Sequence, residues 1–562
     1  MPKLTLPRTL FAAGVVAVAV AAGVGLFANR AAKAQPVSQP PTVEAWKDLT
    51  YTPSSKCASC HALPLPEYRA KAGKKTAATD FVLLTESSIW RAYDKHAQAY
   101  AVLEGDRGKL IGRLLYGEKN EDKVLKAEAG CISCHAMNNL SLINKANGAD
   151  ELDVRDGVSC TGCHGPSDKK RGAPAPVADW FGDHSKDSWR DNSPDAKFHR
   201  GMRNVRDPAV RAELCMSCHI GSATEGKVVT HAMMAAGHPP LPPIELATFS
   251  RNEPQHWRLS RHVPWLKKNK DNPAIRKNYD LENMDFQQTR AALIGSVVAL
   301  RETLKLARDR ASFSKKGLWV ELDANPTLGK DPAERWPEIA MAHSDCYACH
   351  HDLRYPGYRQ ERGFGYHVPG TVSARVIPGR PIVRLWPLGG LSAALIYTGK
   401  AGKATDLRTR LDKLVAATNA RPFGDPKELV SSADELITWC DEVIKDLSGA
   451  KFTAEQVRAT VDKLCEVYGG KDSSALPDYE TARQVVSILR VALGELKDAG
   501  AKVNDKALKE LETIGAKLNV EPYFNRGERL KIMRDVLWNA FNPDKLDKPA
   551  ETFVASSSMT VS

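Results

Sequence analysis

The sequence predicts a mainly α protein in two parts, and three observations support this. The chain after Ala401 contains apolar stripes with helical spacing. The chain before about residue 390 is rich in Gly, Pro and short helical pieces, with no run of alternating β-branched residues. Five copies of the pattern C-x-x-C-H lie in that first part, and no His occurs after residue 400. We therefore expect residues 51–390 to form one domain, with short helices and little other regular structure, and residues 391–562 to form a helical bundle.

The five motifs are CASCH, CISCH, CTGCH, CMSCH and CYACH, and they hold ten of the twelve cysteines. Two thiols spaced C-x-x-C can belong to a zinc site, a thiol–disulfide redox pair or a haem attachment site. A structural zinc site needs two C-x-x-C pairs at a suitable spacing, and it gives no reason for a His after every pair. A thiol–disulfide redox protein needs only one such pair and not five. In c-type cytochromes the two thiols attach the porphyrin and the adjacent imidazole binds its iron. The pattern therefore predicts five covalently bound c-type haems, with the helices of the first domain wrapped around them.

This interpretation gives each haem two attachment cysteines and one proximal histidine. The attachment residues are Cys57, Cys60, Cys131, Cys134, Cys160, Cys163, Cys215, Cys218, Cys346 and Cys349. The proximal iron ligands are His61, His135, His164, His219 and His350.

Ten further histidines compete for at most five distal positions on the irons, so some of them have other roles. The candidates, judged by their local sequences, are His96, His184, His231, His238 and His256. His231 and His238 are seven residues apart, so they share a helix face if a helix continues as far as Pro239. Two axial His ligands would hold the reduction potential low compared with a His/Met pair.

Residues 1–34 have the pattern of an export signal. Two cations precede an apolar run over residues 10–27, and the AKA at residues 32–34 fits a signal-peptidase site. The run is also long enough to stay uncleaved as a membrane anchor. Residues 35–50 are typical of a Pro-rich tether. Because bacteria attach c-type haem outside the cytoplasmic membrane, we expect a periplasmic or otherwise extracytoplasmic protein that contacts the membrane only through a retained anchor.

The formal net charge of +12 would suit a nucleic-acid or anionic-membrane partner. Residues 1–34 hold four cationic residues and no acidic ones, so cleavage would leave about +8. The haem propionates add negative charge, and much of the remaining basic excess would neutralise them. We therefore expect no nucleic-acid partner.

Three apolar stripes predict the first helices of the bundle. They consist of Leu407, Leu411, Leu414 and Val415, of Leu436, Cys440, Val443 and Leu447, and of Val457, Val461, Leu464, Cys465 and Tyr468. Further helical runs cover residues 481–496, 505–518 and 526–541, and a long amphipathic helix is expected at residues 285–311.

Two details of the bundle can be checked against a structure. Ser432-x-x-Glu435 and Thr453-x-x-Gln456 both fit the capping box that opens a helix. Cys440 and Cys465 both lie on core-facing stripes, where they form either a disulfide or two buried free thiols.

Four stretches, GVSCTGCHGP, VTHAMMAAGHPPLPPIE, QHW and DCYACHHDL, resemble exported multihaem cytochromes. The family is related to the tetrahaem cytochrome c-554 of ammonia oxidisers and, more distantly, to hydroxylamine oxidoreductase. The resemblance covers about residues 50–365. It implies closely packed haem pairs with mostly two His ligands per iron, and it supports ligand or haem-contact roles for the five distal candidates. The chain departs from that family in having five motifs, and it contains no C-x-x-C-K.

Two functions are compatible with these motifs. Electron transfer between redox partners needs only the haems and enough His to saturate every iron. An oxidoreductase acting on a small nitrogen or sulfur compound, such as nitrite, hydroxylamine or tetrathionate, would need one iron with an open distal side. The sequence favours electron transfer, with a redox protein that docks through a weak, electrostatically guided contact. In either case the C-terminal bundle is a possible docking or oligomerisation surface.

Overall fold

The computed structural model describes residues 46–62, 82–136, 154–169, 179–312 and 377–518, apart from gaps inside these ranges, together with Cys346. In this part of the chain the fold is mainly α, as predicted. Two short strands, β1 (Leu49–Thr50) and β2 (Asp168–Lys169), pair antiparallel. The predictions for residues 1–34, for most of the tether and for the helical run 526–541 lie outside the described residues.

Short helices joined by turns make up the first half of the described chain. In order they are α1 (Ser54–His61), α2 (Glu86–Tyr93), α3 (Ala101–Glu104), α4 (Asp106–Tyr116), α5 (Ile132–His135), α6 (Cys160–His164), α7 (Pro194–His199), α8 (Pro208–His219), α9 (His231–Ala235), α10 (Leu246–Asn252), α11 (Pro264–Lys268) and α12 (Pro273–Asn278). Helices of the 3₁₀ type lie between them at Lys95–Gln98, Glu118–Leu125, Val154–Asp156, Asp187–Asp191, Ala223–Glu225, Ser260–His262 and Leu281–Asn283. Pro opens α7, α8, α11 and α12, at a position where the backbone N–H would have no helical partner in any case.

The second half consists of longer helices. They are α13 (Gln287–Ala311), α14 (Leu388–Thr398), α15 (Ala401–Asn419), α16 (Pro426–Gly449), α17 (Ala454–Tyr468), α18 (Tyr479–Asp498) and α19 (Asp505–Lys517). Within the described residues, no helix is long and apolar enough to cross a membrane.

Helix α13, which the sequence predicted as a long amphipathic helix, lies at the centre of the core. It is buried along almost its whole length and packs against α8, α10, α14, α16 and α18. Because one hydrophobic cluster includes residues of α8 and α10 as well as of α14 to α18, the motif-bearing half and the bundle share this core. The domain boundary expected at residues 390/391 remains a prediction, and that position falls inside α14.

Two contacts fix the bundle against α13. The carboxylate of Glu495 in α18 accepts hydrogen bonds from the backbone N–H groups of Gln288 at 2.9 Å and Thr289 at 2.8 Å, which caps the start of α13. Burial raises the pKa of Glu495 to about 7. At Gly390 in α14, an added Cβ would collide with the hydroxyl of Ser296, so this crossing of α13 and α14 requires glycine.

The apolar stripes expected in the bundle lie on α15, α16 and α17, and their aliphatic members are buried. Cys440 and Cys465 are both free thiols, and only Cys440 is buried. The prediction that Cys465 faces the core is therefore wrong. The neighbouring Leu464 takes the core position, and the next residue on a helix lies about 100° further round, towards solvent.

Of the two expected capping boxes, one forms its N-cap half. The Oγ1 of Thr453 accepts a hydrogen bond from the N–H of Gln456 at the start of α17. Ser432, in contrast, lies inside α16, where its hydroxyl donates to the Glu428 carbonyl. That helix begins earlier because the Asp425 side chain caps its first turn and Pro occupies its first position.

Candidate haem sites

Each of the first four motifs lies on a helix that ends at its histidine, except that Cys131 directly precedes α5. These histidines are His61 in α1, His135 in α5, His164 in α6 and His219 in α8. Cysteines three residues apart project from one face of a helix, and the histidine follows directly after the second thiol. Of the fifth motif, only Cys346 belongs to the described residues, so Cys349 and His350 lie outside them.

Thiols of different motifs meet in space. The Cys57 thiol hydrogen-bonds with that of Cys160, and the Cys134 thiol hydrogen-bonds with that of Cys218. Cys163 of the third motif interacts electrostatically with the cysteines of the fourth. Burial raises the pKa of Cys163 to about 12. The motifs therefore follow one another in space in the order first, third, fourth, second.

A small hydrogen-bond network fixes the first motif beside the third. The hydroxyls of Thr52 and Ser167 lie 2.7 Å apart, and the Thr161 hydroxyl donates to the Thr52 carbonyl at 3.1 Å. The carboxylate of Asp156 accepts the backbone N–H of Ser54, the first residue of α1, at 3.0 Å. Together with the β1–β2 pair, these buried bonds set the spacing of the two motifs.

Three motif histidines each face one of the predicted distal histidines. The ring centroids are 6.0 Å apart for His61 and His184, 6.4 Å for His135 and His238, and 6.2 Å for His219 and His96. The first pair is nearly parallel, with an interplanar angle of 17°, and the other two are nearly perpendicular, at 85° and 86°. We call these pairs site 1, site 2 and site 4, after the order of their motifs.

These separations suit two imidazoles on opposite sides of one metal ion. An imidazole nitrogen binds a metal at about 2.0–2.1 Å and the ring centroid lies roughly 1.1 Å beyond it, so two such ligands place their centroids about 6.3 Å apart. Ordinary aromatic contacts also span about 4.5–7 Å. The distinguishing feature is that each pair joins one motif histidine to one distal candidate.

A fourth pair, which we call site 3, consists of His164 and His256. The two imidazoles are electrostatic neighbours. Burial and then the charge of His256 lower the pKa of His164 to about 4. Burial is likewise the largest cause of the lowered pKa of His256. Burial thus favours the neutral form of both rings, which is the form that binds a metal.

Two of the imidazoles bond a carboxylate through Nδ1. The Nδ1 of His61 lies 3.0 Å from Oε2 of Glu86, and the Nδ1 of His96 lies 2.9 Å from Oδ1 of Asp94. Burial opposes the ionisation of Asp94, but the hydrogen bonds from His96 outweigh it and lower the pKa of Asp94. Burial also lowers the pKa of His61, and the bond to Glu86 more than reverses this.

Three other imidazoles direct Nδ1 at backbone carbonyls. The acceptors are the Ala99 carbonyl at 2.8 Å for His135, the Phe181 carbonyl at 2.7 Å for His184 and the Pro239 carbonyl at 2.7 Å for His238. An Nδ1–H that is bonded to an acceptor fixes the tautomer and leaves Nε2 as the metal-binding nitrogen. The acceptors on Nδ1 thus leave Nε2 as the nitrogen available to a metal in all five rings.

The segment that contains His231 and His238 does not form one continuous helix. Helix α9 ends at Ala235, and Gly237 has a φ of +107°, a conformation that favours glycine and turns the chain. His238 therefore reaches His135 from a turn, and His231 is exposed at the start of α9. The two histidines do not share a helix face, because the helix that the prediction required does not continue as far as Pro239.

The sequence reasoning missed the two carboxylates. Asp94 precedes His96 by two residues and accepts both its backbone N–H and its Nδ1–H, a local pattern that the sequence could have indicated. Glu86 had no such signal, since it lies on α2, far along the chain from His61.

These residues fit covalently attached haem. The described motifs supply two thiols and a histidine within five residues, and four of them have a second imidazole nearby. Residues 56–165, which contain the first three motifs, match the family model of cytochrome c554 and c-prime. This match supports a c-type cytochrome family for the chain. Its cofactor is thus c-type haem, and electron transfer is the role that the family supports. No curated protein and no solved structure matches this cytochrome.

Proposed function

We propose that this cytochrome holds five haems and passes electrons between redox partners outside the cytoplasm. The observation that carries the proposal is the pairing of motif and distal histidines at sites 1, 2 and 4, at the separation that two ligands of one iron require. A protein whose irons are closed on both sides is suited to electron transfer, because no position is left for a substrate.

The proposed ligand set follows from the pairs. Sites 1 to 4 use His184, His238, His256 and His96 as distal ligands, in that order. His231 is then the remaining distal candidate, and we assign it by elimination to the fifth motif and His350. The ten motif cysteines attach the five porphyrins.

The chain's own residues orient the ligands. Haem iron carries one electron by alternating between the ferric and ferrous states, and two imidazole ligands favour a low potential relative to His/Met. The acceptors on Nδ1 hold five of the rings in their tautomer and orientation. The contacts between motifs keep neighbouring sites close together.

The remaining parts of the proposal concern location and partners. A cleaved or retained segment 1–34 would direct the chain to the periplasm, where the haems are attached. The partner would be a redox protein bound by a weak, charge-guided contact, without a role for nucleic acid. The C-terminal bundle, which shares its core with the motif-bearing half, would offer a docking or oligomerisation surface.

The test is a haem count by pyridine haemochrome combined with EPR of the oxidised, purified protein. We expect five haems per chain, all low-spin. His184→Ala should convert about one haem to high-spin, whereas His199→Ala, which changes an exposed histidine on α7, should leave the spectrum unchanged.

The opposite result would be a high-spin signal of about one haem in the wild-type protein. An open iron of that kind would favour the oxidoreductase alternative, to be assayed with nitrite, hydroxylamine and tetrathionate. Because sites 1 to 4 each have a second imidazole, the fifth motif would be the first place to look for it.

A further inference from the structure

We propose that Glu86 and Asp94 are positioning residues that lower the reduction potentials of sites 1 and 4 below that of site 2. This inference rests on the proposed ligand set, and it adds a difference between sites that have the same two ligands. Both carboxylates act through an imidazole, since each accepts the Nδ1–H of a ligand histidine.

At site 1 the carboxylate comes from the first residue of α2. Glu86 Oε2 lies 3.0 Å from Nδ1 of His61, and the two side chains are only 17% and 22% exposed. The opposite ligand, His184, bonds the Phe181 carbonyl. Site 1 thus has one carboxylate-bonded and one carbonyl-bonded imidazole, in surroundings that screen the charge weakly.

At site 4 the carboxylate is more deeply buried. The Asp94 side chain is 6% exposed, and a single oxygen, Oδ1, accepts both the backbone N–H and the Nδ1–H of His96 at 2.9 Å. This arrangement locks the ring against its own backbone. It also places a full negative charge next to the distal ligand of the site.

Site 2 provides the comparison. Its two imidazoles bond the Ala99 and Pro239 carbonyls, at 2.8 and 2.7 Å, so neither ring has a charged acceptor. The bond lengths are similar to those at sites 1 and 4. The difference between the sites is therefore the charge of the acceptor and not the presence of a hydrogen bond.

The charge of the acceptor changes how strongly the ring donates electrons to iron. A hydrogen bond to an ionised group is roughly twice as strong as one between neutral groups, and a carboxylate on the second ring nitrogen raises the basicity of a metal-bound imidazole. A more basic ligand stabilises ferric iron over ferrous iron, because the ferric state has the higher charge. Sites 1 and 4 should therefore be harder to reduce than site 2.

A purely structural role for the two carboxylates is the alternative. Asp94 also caps the 3₁₀ helix Lys95–Gln98, so its removal would loosen the turn that carries His96. The substitutions Glu86→Gln and Asp94→Asn keep an acceptor oxygen for Nδ1–H and remove only the charge. They separate an electrostatic effect on potential from a loss of ligand geometry.

The experiment is an EPR-monitored redox titration of the haem-loaded full chain, in the wild type and in both variants. Nearly parallel and nearly perpendicular imidazole planes give different low-spin spectra, so the 17° pair of site 1 is distinguishable from the pairs near 85°. Glu104→Gln is the matched control, because Glu104 carries a charge in the same region but bonds Arg155 instead of a histidine. Site 3 is not used as a reference, since both carboxylates interact electrostatically with His256.

We expect Glu86→Gln to raise the potential of the near-parallel signal and Asp94→Asn that of one near-perpendicular signal. The expected size is about tenfold in the one-electron equilibrium constant, which corresponds to about 59 mV. The near-perpendicular signal of site 2 should move less than twofold, and the control should shift none of these three signals.

Unchanged or lowered potentials in low-spin variants would overturn the inference, as would shifts no larger than those of the control. A failure of the ligand set itself would show instead in the wild type, as high-spin haem or as the absence of a near-parallel signal, and would overturn both proposals. Glu86→Gln and Asp94→Asn affect different sites. If one of these variants loses haem, the potential measured in the other variant still tests the inference.

Discussion

Replacing Asp156 by Ala should loosen the helix that carries the first haem motif. The Asp156 side chain is buried, and its Oδ2 accepts the N–H of Ser54, which has no partner within α1. Its Oδ1 accepts a hydrogen bond from Arg91 at 3.1 Å, but Arg91 is 65% exposed, so that ion pair contributes little. A hydrogen bond to a charged group contributes about 1.5–3 kcal/mol, and most of this should be lost from the free energy of opening α1.

Hydrogen–deuterium exchange measures this opening directly. A loss of about 1.5–3 kcal/mol predicts roughly 10- to 100-fold faster exchange of the α1 amides, because each 1.4 kcal/mol is a factor of ten. Asp168→Ala is the matched control, since Asp168 contacts α1 through Lys56, in a partly exposed pair expected to contribute about 0–1 kcal/mol. Unchanged exchange over residues 54–61, or a larger effect of the control, would refute the reasoning.

Three further predictions concern the bundle. The pKa of Glu495, about 7 in the folded protein against an ordinary 4.5, makes a contribution to stability that is present below about pH 4.5 and lost as the pH rises through 7. Glu495→Gln should therefore flatten the pH dependence of the unfolding midpoint between pH 5 and 8, and an unaltered slope would contradict this. Alkylation of the native protein followed by mass spectrometry should label exposed Cys465 but not buried Cys440, whereas a disulfide between them would leave both unlabelled. Gly390→Ala should cost about 1–3 kcal/mol because its Cβ collides with α13. In thermal unfolding the control Gly449→Ala, which has open space around it, should not be destabilised, and equal effects would count against the packing argument.

Helices α15 to α19 of the bundle could be predicted well because each carries its own periodic signal, whereas α14 has none and was not predicted. The stripe from Leu407 to Val415 is buried as its spacing indicates. The errors arose where one local pattern has two outcomes. Ser432 begins a capping-box pattern, but it lies within α16. Cys465 is apolar, but its position on the helix directs its side chain towards solvent. The local sequence pattern alone does not say which of two competing structures the residue adopts.

The candidate sites were predictable to the extent that their residues are adjacent in sequence. Two thiols and a histidine within five residues identify the proximal half of each site. The distal candidates could be chosen by local context, but their assignment could not, because nothing in the sequence links His184 to His61 or His96 to His219. Those pairs exist only after the helices have packed. The acceptors on Nδ1 depend on the same packing, which is why Glu86 was missed.

The order of the sites in space follows from where the chain returns on itself. Pairing of β1 with β2 brings the segment before the first motif against the segment after the third. In the same way, the Ser133 hydroxyl within the second motif lies 3.0 Å from the carbonyl of Gly226, just after the fourth. Motifs one and two, neighbours in the sequence, thus lie at opposite ends of the row of four. With the proposed ligands, an electron that enters at site 1 would pass sites 3 and 4 before site 2. Site 4, one of the two carboxylate-bonded sites, would then have a neighbour that is easier to reduce, because both ligands of site 2 bond backbone carbonyls through Nδ1.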